Sequence, residues 1–197
     1  MGGGVTLAHG MDKAGEKRKV VGMVGDSTFF HSGITGLLDV VYNRGASTII
    51  VVDNRTTAMT GHQDHPGTGK TLMGHTTFEA SIEAIGKACG VKRVFTVDPL
   101  DLKETLRVIK QEIDINEPSL IVSRSPCILH QRPKKITRRV VDDEICKKCG
   151  LCLKLGCPAM EGGKGVKPEI NELLCNGCSM CEQVCKFDAI SEFEEAI

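Results

Sequence analysis

Over the first part of the chain, short apolar runs alternate with stretches in which apolar residues recur at helical spacing. Each run is too short for a helix and lacks the alternation of polar and apolar residues seen in half-exposed strands. Continuous apolar runs of this kind are typical of strands buried on both faces of a sheet. The predicted strands are Val20–Val24, Ser47–Val52, Val94–Val97 and Leu120–Val122.

Apolar residues three or four positions apart predict helices between these strands. The glycine-rich opening suits a helix packed closely on a sheet. A second helix is predicted before Gly45 from the spacing of Ile34, Leu37, Leu38 and Val41. Two more are predicted over Phe78–Cys89 and Leu100–Ile115. In the last of these, the residues expected to face inward are Leu102, Leu106, Ile109 and Ile113. This alternation predicts an α/β fold with a doubly wound parallel sheet.

A long polar segment, Arg55–His75, separates the second strand from the next helix. Loops of this length in a compact domain are usually functional or disordered. Its residues His62, Asp64 and His65 permit a metal-site interpretation, but so short a pattern is weak evidence. We favour a loop that faces substrate or covers a cofactor.

Cysteine usage changes abruptly along the chain, with two cysteines before residue 140 and eight after it. This change predicts a boundary between an α/β domain at 1–131 and a cysteine-rich domain at 142–197. The basic segment between them, 132–141, reads as a linker that ends in a possible entering strand over Ile136–Val141.

The eight cysteines form two similar halves, Cys146-x2-Cys149-x2-Cys152-x4-Cys157-Pro158 and Cys175-x2-Cys178-x2-Cys181-x3-Cys185. This pattern resembles the two-cluster ferredoxin run, in which the fourth cysteine of each half ligates the other [4Fe–4S] cluster. The implied ligand sets are Cys146, Cys149, Cys152 and Cys185 for one cluster, and Cys157, Cys175, Cys178 and Cys181 for the other.

Two other interpretations of the cysteines fit less well. Zinc sites usually use separated pairs of cysteines, whereas each half here carries three at equal spacing. Disulfide scaffolds belong to secreted proteins, and the chain has no charged segment followed by an apolar run of the kind that forms a signal peptide. We therefore expect a small α+β domain with two iron–sulfur clusters in a cytoplasmic protein.

The overall charge and hydropathy favour neither nucleic acid nor membrane as a partner. Lysine plus arginine equals aspartate plus glutamate, at 25 each, so there is no excess positive charge to attract phosphates or an anionic surface. No apolar run approaches the length that crosses a bilayer.

Two polar residues lie just beyond the ends of predicted strands. Asp26 follows the first strand, and Asn54 follows the second. Because ligands bind at the carboxyl ends of the strands in open α/β sheets, we expect both at one binding edge. Their oxygens, together with the backbone carbonyl of Thr56, suit Mg²⁺, which takes its remaining ligands from water and phosphates. A diphosphate is the expected companion.

The triplet Gly25-Asp26-Ser27, followed after 26 residues by Asn54, resembles the thiamine-diphosphate motif, with Ser27 in place of the usual third glycine. The longer stretches Gly25–Gly33 and Asp53–Gly67 resemble the alpha subunits of indolepyruvate:ferredoxin oxidoreductases. That family also carries a two-cluster ferredoxin domain at its carboxyl end.

The resemblance implies a function and a set of cofactors. Gly25, Asp26, Ser27, Asn54 and Thr56 would bind thiamine diphosphate, with Asp26, Asn54 and Thr56 on Mg²⁺. The implied reaction, in anaerobic metabolism, is oxidative decarboxylation of an aryl pyruvate with coenzyme A. Electrons would leave through both clusters to an external ferredoxin, and a beta subunit would be the partner. The resemblance assigns no catalytic residue within this chain.

Two alternatives stay open. The chain could be an electron-transfer module without catalysis of its own, or it could belong to an oxidoreductase for another 2-oxo acid. Alpha subunits of the family are longer and include an earlier part of the thiamine-binding domain. We therefore expect a fragment or one piece of a split subunit, with a sheet that lacks its amino-terminal part.

Overall fold

A computed structural model describes residues 1–130, 136–163 and 165–193. The chain divides into two compact units, Met1–Gln131 and Arg132–Ile197.

The first unit is built on a four-stranded parallel sheet. Its strands are β1 (Val21–Gly25), β2 (Thr48–Asp53), β3 (Arg93–Val97) and β4 (Ser119–Arg124), in the order β1-β2-β4-β3. The central strands β2 and β4 carry the longest buried runs, because both of their faces are covered by helices.

Helices cover both faces of the sheet. They are α1 (Gly3–Lys13), α2 (Asp26–Thr28), a π-helical turn (Phe29–Gly33), α3 (Ile34–Tyr42), α4 (Ile82–Ala88) and α5 (Leu102–Ile113). Side chains of α1, α3 and α4 form one apolar core with Ile49 and Leu120. On the other face, Val108 of α5 packs with Ile50 and Ile121. The predicted doubly wound α/β fold is confirmed.

The starts of two helices differ from the prediction. The helix predicted from Phe78 begins at Ile82, because the Ser81 hydroxyl accepts the Ala84 amide hydrogen and caps it there. Phe78 is exposed. The helix predicted from Leu100 begins at Leu102, where the Asp101 carboxylate accepts the Glu104 amide hydrogen.

The buried face of α5 also differs from the prediction. Leu106 is 51% exposed, whereas Glu112 is fully buried. Arg93 on β3 donates two hydrogen bonds to the Glu112 carboxylate, at 2.8 and 2.7 Å. This paired geometry satisfies both carboxylate oxygens, so the helix turns its acidic residue inward and leaves a leucine outside.

The second unit is a small α+β structure. Strand β5 (Arg139–Val141) pairs antiparallel with β8 (Ile190–Glu192), and β6 (Met160–Glu161) pairs with β7 (Glu169–Ile170). Helix α6 spans Met180–Val184, and a 3-10 turn spans Cys152–Leu155. Of the predicted linker 132–141, residues 132–135 lie outside the described residues, and its end forms β5.

Among the helices of the described residues, none combines the length and the apolar character that crossing a bilayer requires.

Replacing Gly4 with alanine should destabilise the first unit. A Cβ at Gly4 would lie 2.4 Å from the Met23 carbonyl oxygen, so α1 would have to move away from β1. Such overpacking costs about 1–3 kcal/mol. Urea unfolding followed by circular dichroism should therefore show a lower midpoint for Gly4→Ala.

The matched control is Gly10→Ala in the same helix. A Cβ there meets nothing within 4 Å, so the higher helix propensity of alanine should leave stability unchanged or raise it by up to about 1 kcal/mol. Equal midpoints for the two variants would show that α1 and β1 are not in close contact.

Candidate functional site

The predicted binding residues Asp26 and Asn54 lie at the same edge of the sheet. Gly25, the last residue of β1, pairs with Val52 of the neighbouring parallel strand β2. Asp26 then begins the helical segment that continues into α3, while Asp53 ends β2 and Asn54 follows it. The carboxyl ends of both strands therefore present these side chains together.

The Asp26 carboxylate is buried, and both of its oxygens accept hydrogen bonds. The Ser27 amide donates to Oδ1 at 2.8 Å, and Oδ2 lies 3.0 Å from Nε2 of His65. Burial acts to raise the pKa of Asp26, but the bonds from His65 and from the Ser27 amide outweigh it and hold that pKa below its usual value. Asp26 is thus a buried carboxylate that remains ionised.

A second buried carboxylate, Asp53, lies beside Asp26. Its oxygens accept the Arg55 amide at 3.1 Å and Nε of Arg124 at 2.6 Å. Burial raises the pKa of Asp53; the Arg124 guanidinium opposes this shift, and the Asp26 carboxyl adds to it. Arg124 also pairs with Glu83 at 2.9 Å, which ties α4 to this edge of the sheet.

The backbone after β2 turns sharply at Arg55, whose φ of 61° lies in the left-handed region. The turn brings the Thr56 amide to 3.2 Å from Oδ1 of Asn54. The Asn54 carbonyl accepts the Cys127 amide at 3.0 Å. Within the described part of the chain, the buried Thr56 hydroxyl has no hydrogen-bond partner.

Ser27 fits the position where the motif usually has glycine. It lies within helical backbone and is buried. Its hydroxyl accepts a hydrogen bond from the Thr57 hydroxyl at 2.9 Å. The serine therefore links the start of the helical segment to the loop after β2. Gly25 is extended, and a Cβ there would meet nothing within 4 Å.

Two of the three histidines of the loop, His62 and His65, make different contacts. His65 contacts Asp26, whereas His62 stacks on the His130 ring and lies 3.9 Å from the Cys127 sulfur through Nε2. Asp64 is exposed. In the described ranges, no three histidine, cysteine, aspartate or glutamate side chains converge on one metal ion.

In the second unit, four cysteines line one pocket: Cys146, Cys149, Cys152 and Cys185. The Lys148 and Ala189 amides point at the sulfurs of Cys146 and Cys185, each at 3.4 Å. Burial raises the pKa of the Cys152 thiol, and the neighbouring Cys149 and Cys185 add to that shift. The structure thus brings together one of the two predicted ligand sets.

Three cysteines of the other predicted set are also neighbours. Burial, followed by Cys178 and then Cys175, raises the pKa of the Cys181 thiol to about 11. Cys157 is half-buried and follows the 3-10 turn Cys152–Leu155 and Gly156, whose φ is 65°. The extra residue between Cys152 and Cys157 is accommodated in this turn.

Comparison with known families agrees with this division. The family described as "Thiamine pyrophosphate enzyme, C-terminal TPP binding domain" matches residues 1–123. The chain belongs to this family. A "4Fe-4S binding domain" model matches residues 168–191, within the second unit. A thiamine diphosphate-binding fold and an iron–sulfur domain are therefore both present in this family member.

Curated relatives resemble nearly the whole chain. Indolepyruvate oxidoreductase subunit IorA of Pyrococcus horikoshii is 37% identical over 99% of the chain and 33% of its own length. The IorA subunit of Methanothermobacter thermautotrophicus is 40% identical over 96% of the chain and 31% of its own length. The predicted resemblance is confirmed, and the chain spans about a third of these relatives.

Solved structures support the fold of the first unit. A 2-oxoglutarate:ferredoxin oxidoreductase from Magnetococcus marinus superposes with a TM-score of 0.55 at 18% identity, covering 62% of this chain and 44% of that one. A thiamine diphosphate-dependent 4-hydroxybenzoylformate decarboxylase from Rhodococcus jostii gives 0.50 at 24%, covering 64% and 23%. At these identities the likeness concerns the fold alone.

The sequence predicts Asp26, Asn54 and Thr56 at this site, whereas the hydrogen bonds of His65, Asp53 and Arg124 are seen only in the structure. Asp53 had a detectable signal, because it is an acidic residue at the end of a buried strand. His65 lies in the loop expected to face substrate or cover a cofactor, but its contact with Asp26, like that of Arg124 with Asp53, joins residues far apart in the chain.

Glu83→Gln should remove a pH-dependent part of the stability. Burial acts to raise the pKa of Glu83, but hydrogen bonds from Arg124, Thr96 and Ser81 outweigh it and lower that pKa from 4.5 to about 2. Glutamate therefore stabilises the fold above pH 4.5, and this contribution is lost as the pH falls towards 2. After allowance for solvent screening, we expect a loss of roughly 1–2 kcal/mol in the variant at pH 7.

Urea unfolding of both proteins from pH 7 to pH 2 checks this prediction. The difference between wild type and variant should shrink below pH 4.5. Glu104→Gln, which removes an exposed ion pair with Arg107, is the control and should have little effect at any pH. A constant difference for Glu83→Gln across the series would contradict the assignment.

Proposed function

We propose that this chain is part of a cytoplasmic, ferredoxin-dependent 2-oxo-acid oxidoreductase that converts an aryl pyruvate and coenzyme A to the acyl-CoA and carbon dioxide. The observation that carries the proposal is the pairing, on one chain, of a buried carboxylate at the edge of a thiamine-type sheet with a pocket lined by four cysteines. The relatives named as indolepyruvate oxidoreductase subunits support the substrate class.

The residues around Asp26 fit a magnesium ion and a diphosphate. Among the described residues, neither lysine nor arginine pairs with this buried carboxylate, so its charge favours a bound cation. Asp26, the Asn54 side-chain oxygen and the Thr56 carbonyl would hold Mg²⁺, a cation that prefers oxygen ligands. Gly25 and Ser27 would adjoin the diphosphate at the start of the helical segment, where the helix dipole favours negative charge.

When bound, thiamine diphosphate supplies the carbanion chemistry that decarboxylation of a 2-oxo acid requires. The contribution of this chain is to hold the metal and the diphosphate in a fixed orientation. The hydrogen bond between Thr57 and Ser27 keeps the loop after β2 on the start of the helical segment, and His65 keeps the next part of that loop on Asp26. Both contacts limit the access of water to the buried carboxylate.

The cysteine-rich unit would hold two [4Fe–4S] clusters. Cys146, Cys149, Cys152 and Cys185 would bind one, and Cys157, Cys175, Cys178 and Cys181 the other. The shared pocket of the first set supports the exchange of fourth ligands between the two halves. Backbone amides at the Cys146 and Cys185 sulfurs would stabilise thiolates there.

The relatives carry the designation of a subunit, and we infer a beta subunit as the partner of this chain. An external ferredoxin would receive the electrons. Both inferences concern the whole oxidoreductase, whereas this chain spans about a third of the length of its relatives.

Ferredoxin reduction tests the function. The chain assembled with its partner polypeptides should reduce ferredoxin anaerobically when indolepyruvate and coenzyme A are added. Asp26→Ala should lower the rate at least about 100-fold, because a missing metal ligand removes the anchor of the diphosphate. Absence of reduction by the complete wild-type complex would refute the proposed reaction, and reduction only with another 2-oxo acid would change the substrate.

The second candidate, an electron-transfer module without catalysis, is favoured by the self-contained cysteine pocket of the second unit. Calorimetry with thiamine diphosphate and Mg²⁺ separates the two functions. Binding by wild type and loss of binding in Asp26→Ala support the enzyme. If neither wild type nor Asp26→Ala shows heat of binding, and both carry intact clusters, the electron-transfer module would be favoured.

Pairs of serine variants test the exchange of ligands between the cysteine halves. Each double variant should be compared with wild type, which we expect to carry about eight irons per chain. Cys152→Ser/Cys185→Ser should keep about four, because both cysteines belong to one cluster. Cys181→Ser/Cys185→Ser should lose both clusters. Iron analysis and electron paramagnetic resonance of anaerobically purified protein measure these outcomes.

Cys127→Ser is the control, since this cysteine lies in the first unit and should not affect iron content. The reverse result, four irons in Cys181→Ser/Cys185→Ser and none in Cys152→Ser/Cys185→Ser, would show that each half binds its own cluster.

A further inference from the structure

His65 is the residue of the long loop that reaches the buried carboxylate. Its side chain is 1% exposed, and its Nε2 atom lies 3.0 Å from Oδ2 of Asp26. The other ring nitrogen, Nδ1, accepts the Gly67 amide hydrogen at 3.2 Å. One ring nitrogen therefore faces a hydrogen-bond acceptor, and the other faces a donor.

These two contacts determine which nitrogen carries the proton. A backbone amide can only donate, so Nδ1 must be the unprotonated acceptor. The neutral ring then carries its hydrogen on Nε2 and donates it to Asp26. The loop thus sets the tautomer of His65, and the tautomer provides Asp26 with a donor.

The ring is also confined by its surroundings. Phe30, in the π-helical turn, packs against it with ring centroids 5.5 Å apart. A Cβ at Gly67 would lie 2.6 Å from the Phe30 ring, so glycine allows this close approach. Because Phe30 and the Gly67 amide hold the ring, His65 has one direction in which to donate.

We propose that His65 is a positioning residue for the cation at Asp26. With Oδ1 bonded to the Ser27 amide and Oδ2 to His65, the carboxylate plane is fixed before any ligand arrives. Hydrogen-bond partners of metal-binding carboxylates contribute about 10- to 100-fold to metal affinity. The inference rests on the proposed function, and it gives the loop a role in cofactor binding.

Two variants separate this role from a purely structural one. Asparagine at position 65 keeps an acceptor for the Gly67 amide, as a helix-capping residue does, but is too short to reach Asp26. Glutamine is long enough to present an amide donor near the position of Nε2. His65→Asn therefore keeps the loop contact, and His65→Gln keeps the contact with Asp26.

The experiment is a calorimetric titration of Mg²⁺ into the full chain in the presence of thiamine diphosphate. We expect the Kd for Mg²⁺ to rise about 10- to 100-fold in His65→Asn and to stay within a few-fold of wild type in His65→Gln. The control is His75→Ala, an exposed histidine of the same loop, which should bind as wild type does.

A wild-type Kd in His65→Asn would overturn the proposal, because the residue would then only cap the loop. The Tm of each metal-free variant shows whether it is folded. Nitrogen-15 spectra of wild type provide a test that needs no variant: at neutral pH they should show the proton on Nε2, and a proton on Nδ1 would overturn the proposal. Wild type that binds no thiamine diphosphate would refute the proposed function itself, and this inference with it.

Discussion

The chemistry of the first unit depends on one constraint, which is that the ionised carboxylate of Asp26 is buried at the end of β1. Burying an unpaired charge is costly, and the carboxylate accepts hydrogen bonds from the Ser27 amide and from the His65 ring. These bonds orient the charge without neutralising it. The Asp26 carboxylate is held by three elements, which are the loop that supplies His65, the turn at Arg55 and the start of the helical segment.

The neighbouring carboxylate of Asp53, unlike that of Asp26, is paired with an arginine. Arg124 bonds to it and in turn to Glu83, so its charge is neutralised by the protein. Burial raises the pKa of Asp53, whereas the hydrogen bonds to Asp26 lower the pKa of that group. Asp53 is therefore paired within the protein, whereas Asp26 is the residue for which we propose a bound cation.

The second unit has a small apolar core, and its cysteines form part of that core. Val141 and Ile190 pack there with Cys152, and other cysteines surround them. Free cysteine packs as a small apolar side chain, and its thiolate is also a good metal ligand. Folding of this unit and cluster binding are expected to be coupled, as in other small metal-binding domains.

The sequence by itself indicated the four strands of the parallel sheet and placed Asp26 and Asn54 just beyond the ends of β1 and β2, because apolar runs are local properties. Tertiary structure alone decided that His65 reaches Asp26, that Arg124 pairs with Asp53, and that α5 buries Glu112 and exposes Leu106. These outcomes depend on contacts between residues far apart in the chain. Periodicity predicts which face of a helix or strand is apolar. A buried ion pair or a loop contact also depends on a partner residue that is distant in sequence, which periodicity does not reveal.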